Sequence, residues 1–516
     1  MHLAHFVYRS AKHYPERPLW MGPDLSITYG DGIRRISSIA NSLFSMGLPR
    51  DRVAIVSSNR FEAFEAYLAA LAAGMTATPL NPKLHVDEIG FMLADAGARF
   101  FIFAPEFAEM ARELQSKNSI VEQWICMERY DGFSYYGDLL KGHSDAPPPL
   151  LIEPDDVAWL FYTSGTTGKP KGVMETHRNL VEVVQQLRLT SLREANETDR
   201  MIHFAPIAHA TTTVGLVYLS VGAAQVFPGL SRFEPPQALA ALERFAATAS
   251  FMAPTMVQML LQSPDLARHN VKTLRNVLCG GAPMYAEVLR RAIKAFGPVF
   301  SQGYGQSESP SICGMHQSEY DLSTPEGLRR AASAGREVPG VLLRIVDEEG
   351  NEVPAGVPGE LTVRGNTVTP GYWKREDATR EALRDGWLHT GDVGFRDERG
   401  YIFITDRVKD MIISGGSNIY PREVEEILLQ HPDVAQACVI GVPDEVWGEA
   451  VKAIVVLRPG AVASDQEVIE FCRTRLASYK KPKSVEFVED LPKNAYGKVM
   501  KKEVKARYWQ ALARTI

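Results

Sequence analysis

The first 150 residues alternate strand-length and helix-length segments, and this alternation restricts the possible folds more than any other feature of the chain. Strands are expected at Arg52–Ser57, Thr76–Leu80 and Arg99–Phe103, with helices at Glu62–Ala73 and Val86–Ala94 between them. Strands separated by helices pair in parallel through right-handed crossovers. We therefore predict an α/β fold in which helices flank parallel or mixed sheets.

The pattern changes after about Gly335. Short β-rich segments such as Val341–Val346 and Gly359–Arg364 are separated by Gly, Pro and Asp, which is typical of antiparallel hairpins. Farther on, a helix is expected to begin at Pro421, since proline favours the first helical position, and a second helix opens with the capping-box spacing of Ser464. These signals predict a β-rich subdomain followed by a compact α+β unit.

A chain of 516 residues exceeds what one hydrophobic core usually serves. We place the domain boundary between residues 408 and 409. Residues 1–408 would form the large N-terminal domain, including the β-rich subdomain, and residues 409–516 a small, mobile α+β C-terminal domain.

Composition excludes several classes of protein. A net charge of -6 argues against a nucleic-acid partner bound by a dominant basic field. The five cysteines are far apart without a zinc-type spacing, so reduced, mostly buried thiols are expected. The N-terminus has no apolar run long enough for a signal peptide, and no stretch of the chain approaches the length of a membrane span. These features predict a cytoplasmic protein.

The segment Tyr162–Gly172, YTSGTTGKPKG, carries the strongest chemical signal. It follows an expected strand at Val157–Phe161 and is expected to precede a helix, so backbone N–H groups between them would be free to wrap a polyphosphate. It is not a Walker A loop, because Gly165 and Gly168 are too close together. The candidate phosphate-binding residues are Thr163, Ser164, Gly165, Thr166, Thr167, Gly168, Lys169 and Lys171.

This pattern resembles the adenylate-forming superfamily, which includes acyl- and aryl-CoA synthetases, adenylation domains of peptide synthetases and beetle luciferases. The likeness extends from roughly Ile36 to Lys502. Its acyl-CoA synthetase branch implies ATP, Mg²⁺ and coenzyme A as cofactor and co-substrates.

The segment Gln302–Glu308, QGYGQSE, is similar to the family segment in which a tyrosine stacks on adenine and a glutamate holds magnesium. The resemblance assigns those roles to Tyr304 and Glu308, with Thr163 as a second magnesium ligand and Ser307 where threonine is commoner. Mg²⁺ prefers oxygen ligands, which suits a carboxylate. The nucleotide contacts implied in this segment are Gln302, Gly303, Tyr304, Gly305 and Ser307.

Two further segments resemble nucleotide contacts of the family. Cys279–Met284, CGGAPM, is similar to the turn that lets the backbone approach adenine and the acyl group; it implies contacts at Gly280, Gly281 and Ala282. The segment Trp387–Gly394, WLHTGDVG, is similar to the ribose-binding segment and assigns Asp392 to the ribose hydroxyls, with Arg407 as a second ribose contact.

The C-terminal residues resemble the family's moving parts. Lys409 occupies the hinge position, and the loop Ser414–Tyr420 is similar to the one that lines the coenzyme A tunnel; Ser414, Gly415 and Gly416 are its candidate residues. The segment Leu491–Lys502, LPKNAYGKVMKK, resembles the signature whose central lysine drives adenylation. That lysine is Lys498.

The acid itself is less constrained. His203–Gly215 resembles the family's acyl-lining segment, and His209 is expected to gate the pocket, as a catalytic residue beside Lys498 and Glu308. Between His203 and Phe233 there is no aspartate to hold a substrate amine and no lysine or arginine before Arg232. An uncharged, apolar acid is therefore expected, aromatic or medium-chain, or else a long-chain fatty acid.

Several alternatives stay open. The enzyme could load a carrier protein, act as a luciferase-like oxygenase, or be a non-catalytic protein on the same fold. The expected partner is a small-molecule carboxylic acid, without nucleic acid; a homodimer stays open.

Overall fold

A computed structural model describes residues 2–117, 120–142, 144–163, 170–407, 410–414, 417–444, 446–493 and 499–513. The α-helices in these ranges are α1 His5–His13, α2 Tyr29–Met46, α3 Phe61–Ala72, α4 Val86–Ala96, α5 Ala108–Lys117, α6 His177–Leu189, α7 Ala210–Leu219, α8 Pro235–Arg244, α9 Pro254–Gln262, α10 Ala286–Phe296, α11 Pro325–Ala331, α12 Glu376–Ala382, α13 Pro421–Leu428, α14 Asp465–Arg473 and α15 Lys501–Ala513.

The strands of the first half are β1 Pro18–Gly22, β2 Leu25–Thr28, β3 Arg52–Val56, β4 Thr76–Leu80, β5 Ala98–Phe103, β6 Gln123–Cys126, β7 Ser134–Tyr135, β8 Val157–Thr163, β9 Lys171–Thr176, β10 Arg200–Ile202, β11 Ala224–Val226, β12 Ala249–Met252 and β13 Asn276–Cys279. The remaining strands are β14 Phe300–Gln306, β15 Ser309–Met315, β16 Arg336–Glu337, β17 Val341–Val346, β18 Gly359–Gly365, β19 Leu383–Arg384, β20 Trp387–Arg396, β21 Ile402–Arg407, β22 Ile412–Ser414, β23 Ser417–Ile419, β24 Val434–Asp444, β25 Gly448–Leu457 and β26 Ser484–Phe487.

Two large sheets with parallel centres form the first part of the molecule, as the alternation predicts. One has the order β7-β6-β5-β3-β4-β8-β9, and only its last pair is antiparallel. The other has the order β16-β15-β14-β13-β12-β10-β11-β1-β2, with antiparallel pairs at both ends. The expected strands and helices of the first 150 residues are confirmed to within two residues at each end.

Helices α3 and α7 lie in the core shared by the two sheets. The sequence of α3, FEAFEAYLAALA, is rich in alanine and apolar on every face, which suits a helix buried on all sides. Its Glu65 is also buried, and the guanidinium of Arg35 satisfies it through two hydrogen bonds of 2.6 and 2.9 Å. The buried charge of Glu65 is thus compensated by the positive charge of Arg35.

The β-rich subdomain is a five-stranded antiparallel sheet, with β17-β18-β20-β19 in order and β21 beside β20. The last unit places α13 and α14 on the sheet β23-β22-β25-β24, to which β26 adds in parallel. Pro421 begins α13, and the capping box of Ser464 and Glu467 opens α14, so both helix starts are confirmed.

All five cysteines are buried and form no disulfide, which agrees with the expectation from their spacing. Among the described residues, no helix combines the length and apolarity needed to cross a membrane.

Candidate nucleotide and acyl site

The two ends of the segment expected to bind phosphates belong to neighbouring antiparallel strands. Strands β8 and β9 pair antiparallel, and Thr163 faces Lys171 where the strands meet the loop. Residues Ser164, Gly165, Thr166, Thr167, Gly168 and Lys169 lie outside the described residues. The helix expected after the loop is confirmed as α6, with Leu180, Val183, Val184 and Leu187 buried. It does not follow the loop directly, because β9 intervenes and α6 begins only at His177. That helix start is roughly 17 Å along the strand, so its dipole does not serve the loop.

Tyr304 and Asp392, predicted from separate motifs, are in direct contact. The Tyr304 hydroxyl, on β14, donates a hydrogen bond of 2.6 Å to Oδ2 of Asp392, on β20. Burial, and then the neighbouring Asp392 carboxylate, raise the pKa of Tyr304 well above its usual value, so the phenol keeps its proton. The structure thus brings together the candidate adenine and ribose contacts.

Arg407 is the cross-strand partner of Asp392 in the pairing of β20 with β21. The two candidate ribose contacts, 15 positions apart in the sequence, are therefore adjacent in the backbone.

Glu308 contacts a residue that the sequence motifs do not identify. The Tyr372 hydroxyl donates a 2.7 Å hydrogen bond to Oε1 of Glu308, and Lys171 Nζ lies 5.3 Å from the centre of the Tyr372 ring. Tyr372 is held beside the hairpin, since Trp373 N donates to the Gly172 carbonyl at 2.7 Å. No short motif contains Tyr372, so its place at the site is evident from its contacts in the fold and not from the sequence.

The donor set at Glu308 fits magnesium. Mg²⁺ is usually held by one or two carboxylates together with substrate phosphates and waters. Tyr372 uses one acceptor position of the Glu308 carboxylate, so others are left for a cation. Thr163 adds a hydroxyl at the end of β8. No group of three or more metal-ligating His, Cys, Asp or Glu side chains occurs among the residues that the structure describes.

A second carboxylate near Glu308 has no hydrogen-bond partner among the described residues. Glu175, on β9, is 2% exposed, and neither of its oxygens finds a donor within the described part of the chain. Burial, and then the charge of Glu308, raise the pKa of Glu175 well above its usual value. The folded environment therefore favours the protonated form of Glu175.

The two glycine segments pack backbone against backbone. Cys279 pairs with Gln302 in the parallel register of β13 and β14. A Cβ on Gly280 would lie 3.0 Å from the Gly303 carbonyl oxygen, and Gly281 has a φ of +79°. These positions admit only glycine without strain. The segment from Gly280 to Ala282 thus lies directly beside the segment of Tyr304.

The remaining candidates of the second segment differ in their surroundings. A Cβ on Gly305 would lie 2.3 Å from the Pro310 carbonyl oxygen, so this glycine serves a close backbone approach. Ser307 lies in the turn between β14 and β15. The side-chain amide of Gln302 donates to the Ala331 carbonyl at 3.1 Å, so this side chain is engaged with the end of α11.

The acyl segment places its two histidines in different environments. His203 is a satisfied core residue: its ring nitrogens contact Gln225 Oε1 at 2.9 Å and Thr211 Oγ1 at 3.1 Å, and it stacks on Phe227. His209 precedes α7 and meets the Phe161 ring edge-on, with 5.5 Å between ring centres. Burial lowers the pKa of His209 to about 4, so its imidazole is neutral at physiological pH.

The candidate residues of the last unit are only partly described. Ser414 ends β22, facing Ser417 on β23. Lys409, Gly415, Gly416 and Lys498 lie outside the described residues. An antiparallel bridge between Lys493 and Val499 joins the two sides of the segment that contains Lys498.

Comparison with known proteins identifies the family of the chain. The sequence profile of the AMP-binding enzymes matches residues 7–373, and that of the AMP-binding enzyme C-terminal domain matches residues 423–498. A feruloyl-CoA synthase of Amycolatopsis sp. is 38% identical over 98% of this chain and 99% of its own. The medium/long-chain-fatty-acid–CoA ligase FadD8 of Mycobacterium tuberculosis is 34% identical over 100% of this chain and 91% of its own.

The fold comparison leads to the same group of proteins. The crystal structure of the anthranilate CoA ligase AuaEII in complex with anthranoyl-AMP superposes with a TM-score of 0.91 and 26% identity, covering 99% of this chain and 98% of the other. The chain belongs to the AMP-binding enzymes, in the adenylate-forming acyl-CoA ligase branch of that family.

Proposed function

We propose that this ligase activates an uncharged aromatic or medium-chain carboxylic acid with ATP and transfers the acyl group to coenzyme A. The observation that carries the choice of acid is the surroundings of His209, a neutral imidazole against the Phe161 ring. A neutral aromatic pair offers no counter-ion to a second carboxylate or to a protonated amine. The names of the relatives, feruloyl-CoA synthase and anthranilate CoA ligase, favour an aromatic acid.

In the first half-reaction, a carboxylate oxygen attacks the α-phosphorus of ATP and pyrophosphate leaves, giving an acyl-adenylate. The protein must align this attack and offset the charge on phosphate oxygens. We assign phosphate binding to the hairpin loop that Thr163 and Lys171 flank. Lys498 would supply a fixed positive charge where the two anions meet.

We assign nucleoside binding to side chains on β14, β20 and β21. We assign Tyr304 to the adenine, and Asp392 and Arg407 to the ribose hydroxyls. Glu308 and Thr163 would hold Mg²⁺, which neutralises phosphate charge when bound. The hydrogen bond from Tyr372 fixes the orientation of the Glu308 carboxylate.

In the second half-reaction, the thiol sulfur attacks the acyl carbonyl carbon and AMP leaves, giving the thioester. We assign the path of the thiol to the loop from Ser414 to Tyr420, and the change between half-reactions to a rotation of residues 409–516 about Lys409. We propose the cytoplasm as the place of action.

Pyrophosphate release tests the proposal directly. Purified protein would be mixed with Mg-ATP and a panel of ferulate, benzoate, anthranilate, octanoate, palmitate, succinate and glycine, with and without coenzyme A. We expect turnover that depends on coenzyme A with an aromatic acid or octanoate, and none with succinate or glycine. Turnover confined to succinate or glycine would contradict the acid class, and acid-dependent release that coenzyme A does not accelerate would contradict the acceptor.

A further inference from the structure

Two adjacent glutamates of α13 bind the start of α10, about 140 positions earlier in the chain. Tyr285 Oη donates a 2.9 Å hydrogen bond to Oε2 of Glu425, and Ala286 N donates one of 2.9 Å to Oε1 of Glu426. Ala286 is the first residue of α10, and its N-cap, Tyr285, provides no side-chain cap of its own. Glu426 therefore supplies a carboxylate where the helix has free N–H groups and positive partial charge.

Tyr285 also connects two hydrophobic cores. Its ring packs against the cluster around α10, which includes Leu289, and against the cluster of the last unit, which includes Val424. Arg422 adds two bonds to the same junction, donating to the carbonyls of Ile404 at 2.8 Å and Ala332 at 3.0 Å. The junction is thus built from specific contacts on both sides.

Glu425 connects this junction to the segment that contains Lys498. Glu425 is 3% exposed, and its Oε1 accepts from Val439 N at 2.8 Å and forms an ion pair of 3.1 Å with Lys501 Nζ. Lys501 is the first residue of α15, three positions after Lys498. One oxygen of Glu425 therefore binds the N-terminal side through Tyr285, while the other binds the base of the lysine segment.

Both ends of this link lie close in sequence to candidate site residues. Tyr285 directly follows the segment Cys279–Met284, whose first glycine packs against the backbone of Gly303. A buried carboxylate with three partners is rigidly held, since loss of any one leaves charge unsatisfied in a poorly hydrated environment. A misplacement of about 1 Å at a reacting group can cost on the order of 10²-fold in rate.

We propose that Glu425 is a positioning residue for adenylation, which holds Lys501, three positions after Lys498 in the sequence, to the nucleotide side through Tyr285, and that Glu426 secures the same junction by capping α10. This inference rests on the proposed role of Lys498. Because the role proposed for Lys498 belongs to the first half-reaction alone, loss of the junction is expected to impair that half-reaction and to spare the second.

Tyr285→Phe is the first test, because it removes one hydroxyl and keeps the ring. We expect adenylation, measured as acid-dependent pyrophosphate release, to fall about tenfold in kcat with KM for ATP unchanged, as for one lost hydrogen bond to a charged group. Thioester formation from supplied acyl-adenylate should not slow. The matched control is Tyr130→Phe, which removes a 2.9 Å hydroxyl bond to Glu109 far from the junction and should leave both steps unchanged.

A double-mutant cycle tests the path through Glu425. Tyr285→Phe and Lys501→Met remove partners of opposite oxygens, so their effects on adenylation should be non-additive if Glu425 couples them. The proposal would be overturned by additive effects of the two substitutions, or by an equal loss of both half-reactions. It would also be overturned if Tyr285→Phe kept the same rate of adenylation as Tyr130→Phe.

Hydrogen exchange separates this inference from the proposed function. In Tyr285→Phe and Glu426→Gln, amide exchange should accelerate in the first turn of α10 and at residues 499–508, and it should be unchanged in α2. This readout needs no acid substrate. If the wild-type protein releases no pyrophosphate with any acid, the proposed function is contradicted. If amide exchange at these two places does not change in the variants, the inference about the junction is contradicted.

Discussion

The nucleotide side and the acyl side of the candidate site are built from different kinds of contact. On the nucleotide side, Asp392 and Glu308 each accept a hydrogen bond from a tyrosine, Tyr304 and Tyr372, at 2.6 and 2.7 Å. On the acyl side, His209 is neutral and meets an aromatic ring. The first side is suited to one ligand of fixed charge and shape, and the second to a class of apolar acids.

This difference explains why the family resemblance specifies ATP and leaves the acid open. Hydrogen bonds to charged groups discriminate strongly, because a ligand that lacks the matching group leaves a buried charge unsatisfied. An apolar pocket discriminates by only about 1–3 kcal/mol per methylene group. Substitutions on the nucleotide side should therefore have larger effects than those on the acyl side.

The largest effect is expected at Lys498. Lys498→Ala removes the fixed positive charge, and adenylation should fall on the order of 10²- to 10³-fold, as for a lost oxyanion-hole donor. Conversion of supplied acyl-adenylate to thioester should continue, because the thiol attack does not use this charge. Lys493→Ala on the same segment is the control and should retain both activities. Equal loss of both half-reactions in Lys498→Ala would contradict the division of roles.

The next effect is expected at Asp392. Asp392→Asn keeps an oxygen for Tyr304 and loses the charge that would bind the ribose hydroxyls. KM for ATP should rise about 10- to 100-fold, the value of one charge-assisted hydrogen bond, while KM for the acid stays unchanged. Steady-state kinetics with each substrate varied in turn gives both constants. A change in KM for the acid alone would mean that Asp392 does not contact the nucleotide.

Glu175 is the exception on the nucleotide side, because its buried carboxyl has no partner among the described residues. Glu175→Leu should raise the free energy of unfolding by about 1–3 kcal/mol, since it removes an unsatisfied buried polar group. The folded state keeps a proton on Glu175 that the unfolded chain releases above its ordinary pKa, so wild-type stability falls as pH rises above about 4.5. The stability gained by Glu175→Leu, measured by urea unfolding, should therefore be larger at pH 8 than at pH 5.5.

Glu65→Leu is the matched control for this prediction. Glu65 is as buried as Glu175, but Arg35 pairs with it through two hydrogen bonds. Removing it leaves a guanidinium without its partner and should destabilise the protein by about 3–5 kcal/mol. A Glu175→Leu variant that loses stability as Glu65→Leu does would mean that Glu175 has a partner in the working protein.

Most of the fold was predictable because periodicity and caps act locally. The strand at Thr76–Leu80 and the helix starts at Pro421 and Ser464 depend on residues within a few positions of each other. The hairpin at Lys171 was missed because the sequence after the loop satisfies a helical pattern from Leu180 onward, while the pairing of β9 with β8 and with Tyr372 is tertiary. Propensity yields to such contacts.

The candidate site was predictable only where a motif carries its own chemistry. Tyr304, Glu308 and Asp392 lie in recognisable segments, and the structure adds that Tyr304 binds Asp392. Tyr372, Phe161 and Glu175 lie outside the residues that those motifs assign, and their surroundings come from strands and loops that are distant in sequence. Contacts of that kind cannot be read from spacing along one chain.

The smallest effect is expected at His209, on the acyl side. His209→Ala removes the edge-on contact with Phe161, so kcat/KM for an aromatic acid should fall several-fold, as for an aromatic pair worth about 0.5–1.5 kcal/mol. KM for ATP should not change. Since burial lowers the pKa of His209 to about 4, the pH profile between 5.5 and 8 should be the same in His209→Phe and in the wild type. A rate that falls with loss of a proton near pH 6.5 in the wild type alone would mean that His209 titrates during turnover, and that the acyl side also depends on charge.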